Sequence, residues 1–334
     1  MEESVISVKH LRTFFNVEER VSKAVDDISF SVPKGKVVCI VGESGCGKSV
    51  TALSILRLID FPGQMAGGEI LFQNKDILKM SKKELHNLRG DEISMIFQEP
   101  MTSLNPVFTI GQQISETIQE HTLLDRKEAW DKGIELIEKV GLPRPEQIML
   151  SYPHELSGGM LQRVMISIAL SCNPKLLIAD EPTTALDVTI QAQVLDLLRQ
   201  LRDETDMSIL FITHDLGVVA EIADYVLVMY AGKIIEEAPV LQLFRNPKHP
   251  YTRGLLKSRP VIGQHTDRLY SIKGQVPDLS ELPQGCYFAD RCENCMEACR
   301  LKYPDTFSDE NGHTAACLLY GKGDRNGSAA SENN

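Results

Sequence analysis

A short apolar run followed at once by a glycine-rich loop constrains the fold more than any other feature of the sequence. The run Val37–Val41 suits a strand that is buried on both faces, and the loop Gly42-Glu43-Ser44-Gly45-Cys46-Gly47-Lys48-Ser49 follows it directly. This loop fits G-x-x-x-x-G-K-S, in which glycines let backbone N–H groups converge on phosphate oxygens. Lys48 would then reach the β- and γ-phosphates, and the Ser49 hydroxyl would coordinate Mg²⁺. The flanking strand, and a helix predicted to begin near Ser49, argue against the alternative of a plain glycine-rich turn.

Predicted strands alternate with predicted helices, which argues for an α/β core. Apolar residues at helical spacing predict that residues 81–165 are mainly helical. A second buried strand ends at Asp180, and a third is Ile209–Thr213. Residues 225–236 are predicted to form a hairpin that turns at Ala231-Gly232.

Polar residues at the ends of these strands are candidates for the chemistry. Asp180 would hold Mg²⁺ through water, and Glu181 beside it is placed to polarise an attacking water as general base. The alternative is a pair of acids solvated at a strand end. Gln98, after the apolar residues 95–97, is a candidate Mg²⁺ ligand, and His214 is a candidate hydrogen-bonding partner of the γ-phosphate. A lone histidine is more often structural.

Charge and hydropathy exclude several other classes. The net charge of −11 argues against a general nucleic-acid-binding surface. No run approaches the ~18 apolar residues of a membrane span, and the acidic start of the chain lacks the apolar core of a signal peptide. We expect a cytoplasmic protein that reaches a membrane only through a partner.

Five of the eight cysteines lie between Cys286 and Cys317. In a reducing compartment such a cluster suggests a metal site more than a set of disulfides. Spacing alone nominates Cys292, Cys295 and Cys299 with one further thiol, for zinc or iron–sulfur. Free cysteines are the alternative.

In its motifs the sequence resembles the ATP-binding subunits of ABC transporters. The elements that carry the resemblance occur in that family's order: the phosphate loop, Gln98, Leu156-Ser157-Gly158-Gly159, Asp180-Glu181, Ala185-Leu186-Asp187 and His214. The resemblance covers about residues 4–320. It implies a P-loop ABC ATPase core with a helical subdomain and an N-terminal β-subdomain.

The resemblance also assigns roles across a subunit interface. In this family Ser157 and Gly159 contact the γ-phosphate of ATP that is held by the other subunit's phosphate loop, with Gly158 and Gln162 in the same contact set. Asp187 communicates across that interface. Phe14 or Phe15 resembles the aromatic residue that stacks on adenine, with Phe15 as the candidate and a role in the core as the alternative.

Finer motifs are similar to one branch, the ATPases of oligopeptide and dipeptide importers. They are residues 98–106, residues 152–160 and His249-Pro250-Tyr251-Thr252. Leu161 departs from the basic or polar residue expected there. This branch implies a [4Fe–4S] cluster on Cys286, Cys292, Cys299 and Cys317, with Cys295 a spare thiol and zinc the alternative. Nickel importers share much of the pattern.

The branch also implies partners and a domain plan. The partners would be two transmembrane permease subunits at the cytoplasmic face of the membrane, a second ATPase subunit in a homo- or heterodimer, and indirectly an extracytoplasmic substrate-binding protein. Residues 1–245 would form the nucleotide-binding domain, residues 246–320 a Cys-rich extension, and residues 321–334 a disordered tail. A soluble ABC ATPase of translation or DNA repair, and a simple P-loop kinase, are the rivals from other classes.

Overall fold

The computed structural model describes residues 3–17, 20–184, 186–258 and 270–320, so the predicted tail lies outside the described residues. The strands in this part of the chain are β1 (Ser4–Val17), β2 (Arg20–Pro33), β3 (Val37–Val41), β4 (Gly63–Phe72), β5 (Lys75–Asp76), β6 (Ile93–Ile96), β7 (Leu176–Asp180), β8 (Ser208–Thr213), β9 (Tyr225–Tyr230), β10 (Lys233–Pro239), β11 (Thr306–Ser308) and β12 (Thr314–Ala316). The helices are α1 (Lys48–Ile55), α2 (Lys82–Leu88), α3 (Pro100–Ser103), α4 (Ile110–His121), α5 (Arg126–Lys139), α6 (Pro145–Leu150), α7 (Gly158–Leu170), α8 (Val188–Thr205), α9 (Leu216–Ile222), α10 (Val240–Arg245), α11 (Pro250–Lys257) and α12 (Glu297–Leu301).

Two sheets organise these elements. A four-stranded antiparallel sheet has the order β2-β1-β4-β5, and an eight-stranded sheet has the order β11-β12-β10-β9-β3-β8-β7-β6. In the larger sheet β3 lies parallel to both β8 and β9, and β6, β7 and β8 are also mutually parallel neighbours. The mixed α/β fold predicted from the sequence is confirmed.

The central strand β3 separates two hydrophobic cores. Its odd-numbered residues, Val37, Cys39 and Val41, join the core that contains α4 to α9, whereas Val38 and Ile40 join the core that contains the small sheet and α1. All five residues of β3 are buried, as the continuous apolar run predicts. The loop after β3 is therefore anchored to a strand that is packed on both sides.

The range 81–165 contains most of one helical layer. Ile110, Ile114 and Ile118 repeat every four residues and form the buried stripe of α4, which begins with a capping box between Thr109 and Gln112. Helices α4, α5 and α6 pack on one another, and α4 and α5 also contact α7. The range is not wholly helical, because β6 lies inside it as the edge strand of the larger sheet.

The predicted hairpin is confirmed: β9 and β10 are antiparallel and are joined by Ala231 and Gly232, with φ of 45° and 82°. A two-residue turn with positive φ at both positions matches the twist of the flanking strands. None of the helices in the described ranges combines the length and apolar character that a membrane span requires.

The Cys-rich extension is joined to the larger sheet. Strand β12 pairs with β10, and β11 pairs with β12, so residues beyond 246 widen the sheet at that edge. The buried Glu236 of β10 accepts hydrogen bonds from the backbone N–H groups of Lys248 and His249 and pairs with His313 Nε2 at 2.7 Å. These bonds tie the start of the extension and its last strand to one carboxylate.

Candidate functional site

The phosphate loop connects β3 to α1 and depends on close backbone approach at two glycines. A Cβ at Gly42 would collide with the carbonyl oxygen of Met229, and one at Gly47 would collide with that of Ala24. Gly47 also has a φ of 101°, which a side chain disfavours. Ser44 and Gly45 at the tip are exposed. The two close approaches fix the loop against β9 of the larger sheet and against β2 of the smaller sheet, and they leave its tip open to a ligand.

The side chains of Lys48 and Cys46 lie on different sides of this loop. Lys48 is 5% exposed, and its ammonium donates to the carbonyl oxygens of Gly42 and Glu43, at 2.9 and 3.0 Å. Cys46 is fully buried behind the loop, where burial raises the pKa of its thiol to about 11. Lys48 therefore lies over the loop, and its phosphate contact stays a prediction, whereas the Cys46 side chain is packed behind the loop.

The side-chain oxygens of Ser49 and Asp180, the two predicted Mg²⁺ ligands, lie side by side. The Ser49 hydroxyl donates to Asp180 Oδ1 at 3.0 Å, at the point where β7 ends beside the first turn of α1. Burial raises the pKa of Asp180, and the adjacent Glu181 raises it further, against the effects of Ser49 and Lys48. Carboxylate and hydroxyl oxygens are ligands that Mg²⁺ accepts, so this pair fits the predicted site.

Glu181 is held from three sides. Its Oε2 accepts from Gln98 Nε2 at 3.2 Å and from the Thr184 hydroxyl at 2.8 Å, and its Oε1 lies 3.1 Å from His214 Nδ1. The residue has a φ of 48°, an uncommon backbone conformation outside glycine. Burial acts to raise its pKa, but the hydrogen bonds from His214 and Thr184 outweigh burial and hold the pKa below the ordinary glutamate value. The structure thus brings Gln98, Glu181 and His214 together, with Gln98 bonded to Glu181 rather than to Asp180.

Ser157, Gly158, Gly159 and Asp187 line an open cleft of about 870 Å³. Ser157 is exposed and makes no capping hydrogen bond to α7, and a Cβ at Gly158 would meet nothing within 4 Å. Asp187 caps α8 by accepting from the N–H of Ile190 at 3.0 Å. Ala185 lies outside the described residues. Ser157, Gly158, Gly159 and Asp187, four of the predicted trans contacts, therefore lie together along one open cleft.

Two predicted contact residues lie elsewhere. Gln162 is 2% exposed within α7, does not line this cleft, and leaves its Nε2 without a hydrogen-bond partner in the described part of the chain. This burial argues against a nucleotide contact by the Gln162 side chain with α7 in its present position. Phe15 is half-buried on β1, opposite Gly63 of β4. Its ring lies so close to Gly63 that a Cβ on that glycine would collide with it. Its adenine contact stays a prediction.

The four predicted cluster ligands share one narrow pocket. Cys286, Cys292, Cys299 and Cys317 all line it, whereas Cys295 does not. Its free volume is about 10 Å³, about the space of one water molecule, and burial raises the pKa of Cys286 to about 12. Among the described residues, no group of three Cys, His, Asp or Glu side chains is placed to hold a metal ion. Four thiols suit zinc or iron–sulfur, but their arrangement does not support either prediction.

Sequence reasoning missed several contacts to the site. The Thr184 hydroxyl donates to Glu181, the predicted base. The only sequence signal for this contact is that Thr184 lies three residues after Glu181. Tyr251 and Arg291 both bond Glu43 of the phosphate loop, across more than 200 residues. No local pattern signals such contacts.

Comparisons with known proteins agree with the geometry. The ABC transporter family profile matches residues 25–184, and a profile for the oligopeptide/dipeptide transporter C-terminal region matches residues 235–299. The oligopeptide transport ATP-binding protein AppD of Bacillus subtilis is 52% identical over 318 residues, covering 95% of this chain and 97% of AppD. The dipeptide transport ATP-binding protein DppD of the same organism is 47% identical over 318 residues, covering 95% of each chain.

Solved structures of ATP-binding cassettes are also similar to this chain. The dimeric ATP-binding cassette MJ0796 bound to ADP and Pi has a TM-score of 0.64 at 25% identity, covering 70% of this chain and 98% of its own. The cbiO1 subunit of the Clostridium perfringens transporter complex cbiONQ has a TM-score of 0.63 at 28% identity, covering 73% and 92%. This chain therefore belongs to the ABC transporter family, as an ATPase subunit of the group that carries the oligopeptide/dipeptide transporter C-terminal region.

Proposed function

We propose that this ATPase energises the import of di- or oligopeptides through separate membrane permease subunits. The names of AppD and DppD, and the match of residues 235–299 to the oligopeptide/dipeptide C-terminal region, support the substrate class. The observation that carries the ATPase mechanism is the convergence of Gln98 and His214 on Glu181, beside the Ser49–Asp180 pair.

Each of these residues has a role that follows from its position. When a triphosphate enters the loop, Lys48 exchanges the carbonyls of Gly42 and Glu43 for phosphate oxygens, and the N-terminus of α1 adds free N–H groups. Ser49 and Asp180 provide ligands for Mg²⁺, which would neutralise developing phosphate charge. Glu181, kept ionised by its lowered pKa, accepts a proton from the attacking water.

We infer that two such chains, or this chain and a related one, close head to tail over two nucleotides. Ser157 and Gly159 then contact the γ-phosphate held by the other subunit's loop, and Asp187 lies at the same interface. The exposure of Ser157 and the open cleft around it support this arrangement, because a donor surface for a second chain must be free before closure. This chain carries both Glu181 with its bonded neighbours and the Leu156–Gly159 segment. It therefore supplies either side of each nucleotide site in the dimer.

The permease contact is proposed at residues 99–106. This segment follows Gln98, and it is adjoined by Val107 and Phe108, whose exposed fractions are 71% and 45%. Apolar side chains left in water beside a nucleotide-responsive residue suit a protein partner. On this proposal the ATPase lies at the cytoplasmic face of the membrane and sediments with membranes only when the permease subunits are co-expressed.

Reconstitution with the permease and the substrate-binding protein tests the function. The native chain should support ATP-dependent uptake of di- or oligopeptides, whereas Glu181→Gln should assemble at the membrane yet support no uptake. ATP-dependent uptake of nickel without peptide uptake would replace the substrate with the nickel alternative. Membrane binding without permease subunits, or an ATPase stimulated by nucleic acid, would favour a non-transport ABC ATPase.

Metal binding by Cys286, Cys292, Cys299 and Cys317 is a separate proposal. It is supported by the four thiols that line one pocket and by the exclusion of Cys295 from that pocket, although the thiols are not arranged as ligands. Protein purified without oxygen should contain iron and acid-labile sulfide. Cys295→Ser should keep the metal and Cys299→Ser should lose it. Stoichiometric zinc without iron would select zinc, and metal-free native protein would end the proposal.

A further inference from the structure

Glu43, the first variable residue of the phosphate loop, is bonded by the C-terminal extension through two different groups. Its backbone N–H donates to the Tyr251 hydroxyl at 2.9 Å. Its carboxylate accepts two hydrogen bonds from Arg291, from Nη1 to Oε1 and from Nη2 to Oε2, both at 3.1 Å. The carbonyl oxygen of Glu43 accepts from Lys48, so every polar group of this residue has a partner.

Arg291 is built into the structure at this position. Its side chain is 6% exposed, and its Nε donates to the carbonyl oxygen of Lys273 at 2.9 Å. The guanidinium lies over the rings of Tyr230 and Phe288, at 5.7 and 5.8 Å from their centroids. A bidentate pair with a buried guanidinium is geometrically specific, and a lysine does not reproduce it.

Tyr251 is equally fixed. It is fully buried on α11, and its ring packs against Tyr230 at 4.7 Å and Phe288 at 5.4 Å. Tyr230 ends β9, the strand whose Met229 carbonyl closely approaches Gly42. The extension and the main sheet therefore meet in one aromatic cluster directly behind the phosphate loop.

The charge of Glu43 gives this contact a consequence for nucleotide binding. A carboxylate on a loop that receives a triphosphate repels it, and the repulsion is weakly screened where the side chain is partly buried. Arg291 neutralises the carboxylate and fixes its direction, while Tyr251 fixes the adjoining peptide. Removing Arg291 alone would leave Glu43 unpaired and free to approach the phosphates.

We propose that Arg291 and Tyr251 of the C-terminal extension are positioning residues of the ATP site in the same chain, and that they act through Glu43. The extension is then part of the nucleotide-binding machinery rather than an appendage to it. This inference rests on the proposed nucleotide chemistry, but it requires no particular transported substrate and no metal in the cysteine pocket.

A double-mutant cycle tests the proposal on the full chain. Arg291→Met keeps the apolar stem against Phe288 and Tyr230 but removes the charge. It should raise the Kd for ATP, measured by calorimetry without Mg²⁺ so that hydrolysis is prevented, by about tenfold. In a Glu43→Gln background, where no carboxylate is left to repel phosphate, the same change should alter the Kd by less than about twofold. Tyr251→Phe should raise the Kd less than Arg291→Met does.

Arg300→Met is the matched control, since Arg300 lies in the same segment, is 60% exposed, and pairs with Asp290 instead of the loop. It should leave the Kd for ATP unchanged. An equal loss from Arg291→Met in both backgrounds would assign Arg291 a packing role and overturn the proposal, as would a native Kd in Arg291→Met. If the native chain itself binds no ATP, the proposed function fails instead.

Discussion

Lys48, Ser49 and Glu181 already bond to other groups of the chain, whereas Ser157 and Gly158 are exposed in an open cleft. We call the first set, with Asp180, the phosphate-loop half, and the Leu156–Gly159 segment with Asp187 the signature half. The phosphate-loop half lies at the ends of parallel strands, where side chains from distant parts of the sequence meet. The signature half begins a helix at the surface.

On the proposed function, this difference means that the phosphate-loop half is preorganised and that the signature half acts only on a nucleotide held by a second chain. Preorganised donors and acceptors are effective in catalysis because they need no rearrangement during the reaction. An exposed helix N-terminus with a free serine offers the same kind of donors, but only to a ligand brought to it. The comparison predicts that changes in the two halves affect different measurable quantities.

The largest expected effect follows from removing the base in the phosphate-loop half. Glu181→Gln keeps the shape and can still bond Gln98 and His214, but it cannot accept a proton. We expect turnover to fall by roughly 10² or more, with ATP binding kept and the ATP-bound dimer stabilised. Turnover near the native rate would remove Glu181 from the role of general base.

Much of the phosphate-loop half was accessible from the sequence because its motifs are contiguous. Gly42–Ser49 follows the buried strand β3, and Asp180 ends the buried strand β7 with Glu181 directly after it, as predicted. The burial of Gln162 was not predicted, although this residue shares the buried face of α7 with Met165 and Ile166. The contacts of Tyr251 and Arg291 depend on tertiary packing, which no local periodicity encodes.

The Cys-rich extension also differs from what its sequence pattern predicted. Its cysteine spacing predicted a separate metal-binding unit, but β11 and β12 join the main sheet, and the pocket between the thiols is nearly filled. Both strands are three residues long, too short for an alternating pattern to predict them. The Glu236 network, the paired strands and the aromatic cluster of Tyr230, Tyr251 and Phe288 join this region to the larger sheet.

A second, smaller effect concerns the pH dependence of the phosphate-loop half. A general base works when deprotonated, so activity is present above the pKa of Glu181 and is lost as the pH falls through it. Because hydrogen bonds lower that pKa, the acid limb of kcat should lie below the ordinary glutamate value. His214→Ala removes a hydrogen bond that lowers the pKa of Glu181, so the acid limb should move to higher pH, while His214→Gln should move it less. If the acid limb does not move in His214→Ala, His214 does not control the pKa of Glu181.

The smallest expected effect belongs to the signature half. Asp187→Ala removes the cap of α8 and should reduce the free energy of unfolding by about 1 kcal/mol, measured by denaturant titration. Asp187→Asn keeps a capping oxygen and should restore the stability. If Asp187→Asn still slows turnover, its charge acts across the interface. Native turnover in Asp187→Asn would restrict the residue to capping.

Mixing two inactive variants tests most directly whether the two halves come from different chains. Ser157→Arg should leave ATP affinity of the isolated subunit nearly unchanged and abolish turnover, and Lys48→Ala should lose nucleotide binding and turnover. In a mixed dimer one site combines the intact loop of the first variant with the intact signature of the second. An equimolar mixture should therefore recover roughly a quarter of native ATPase activity if the chains assort randomly in a two-fold dimer. A mixture as inactive as its separate components would contradict the account.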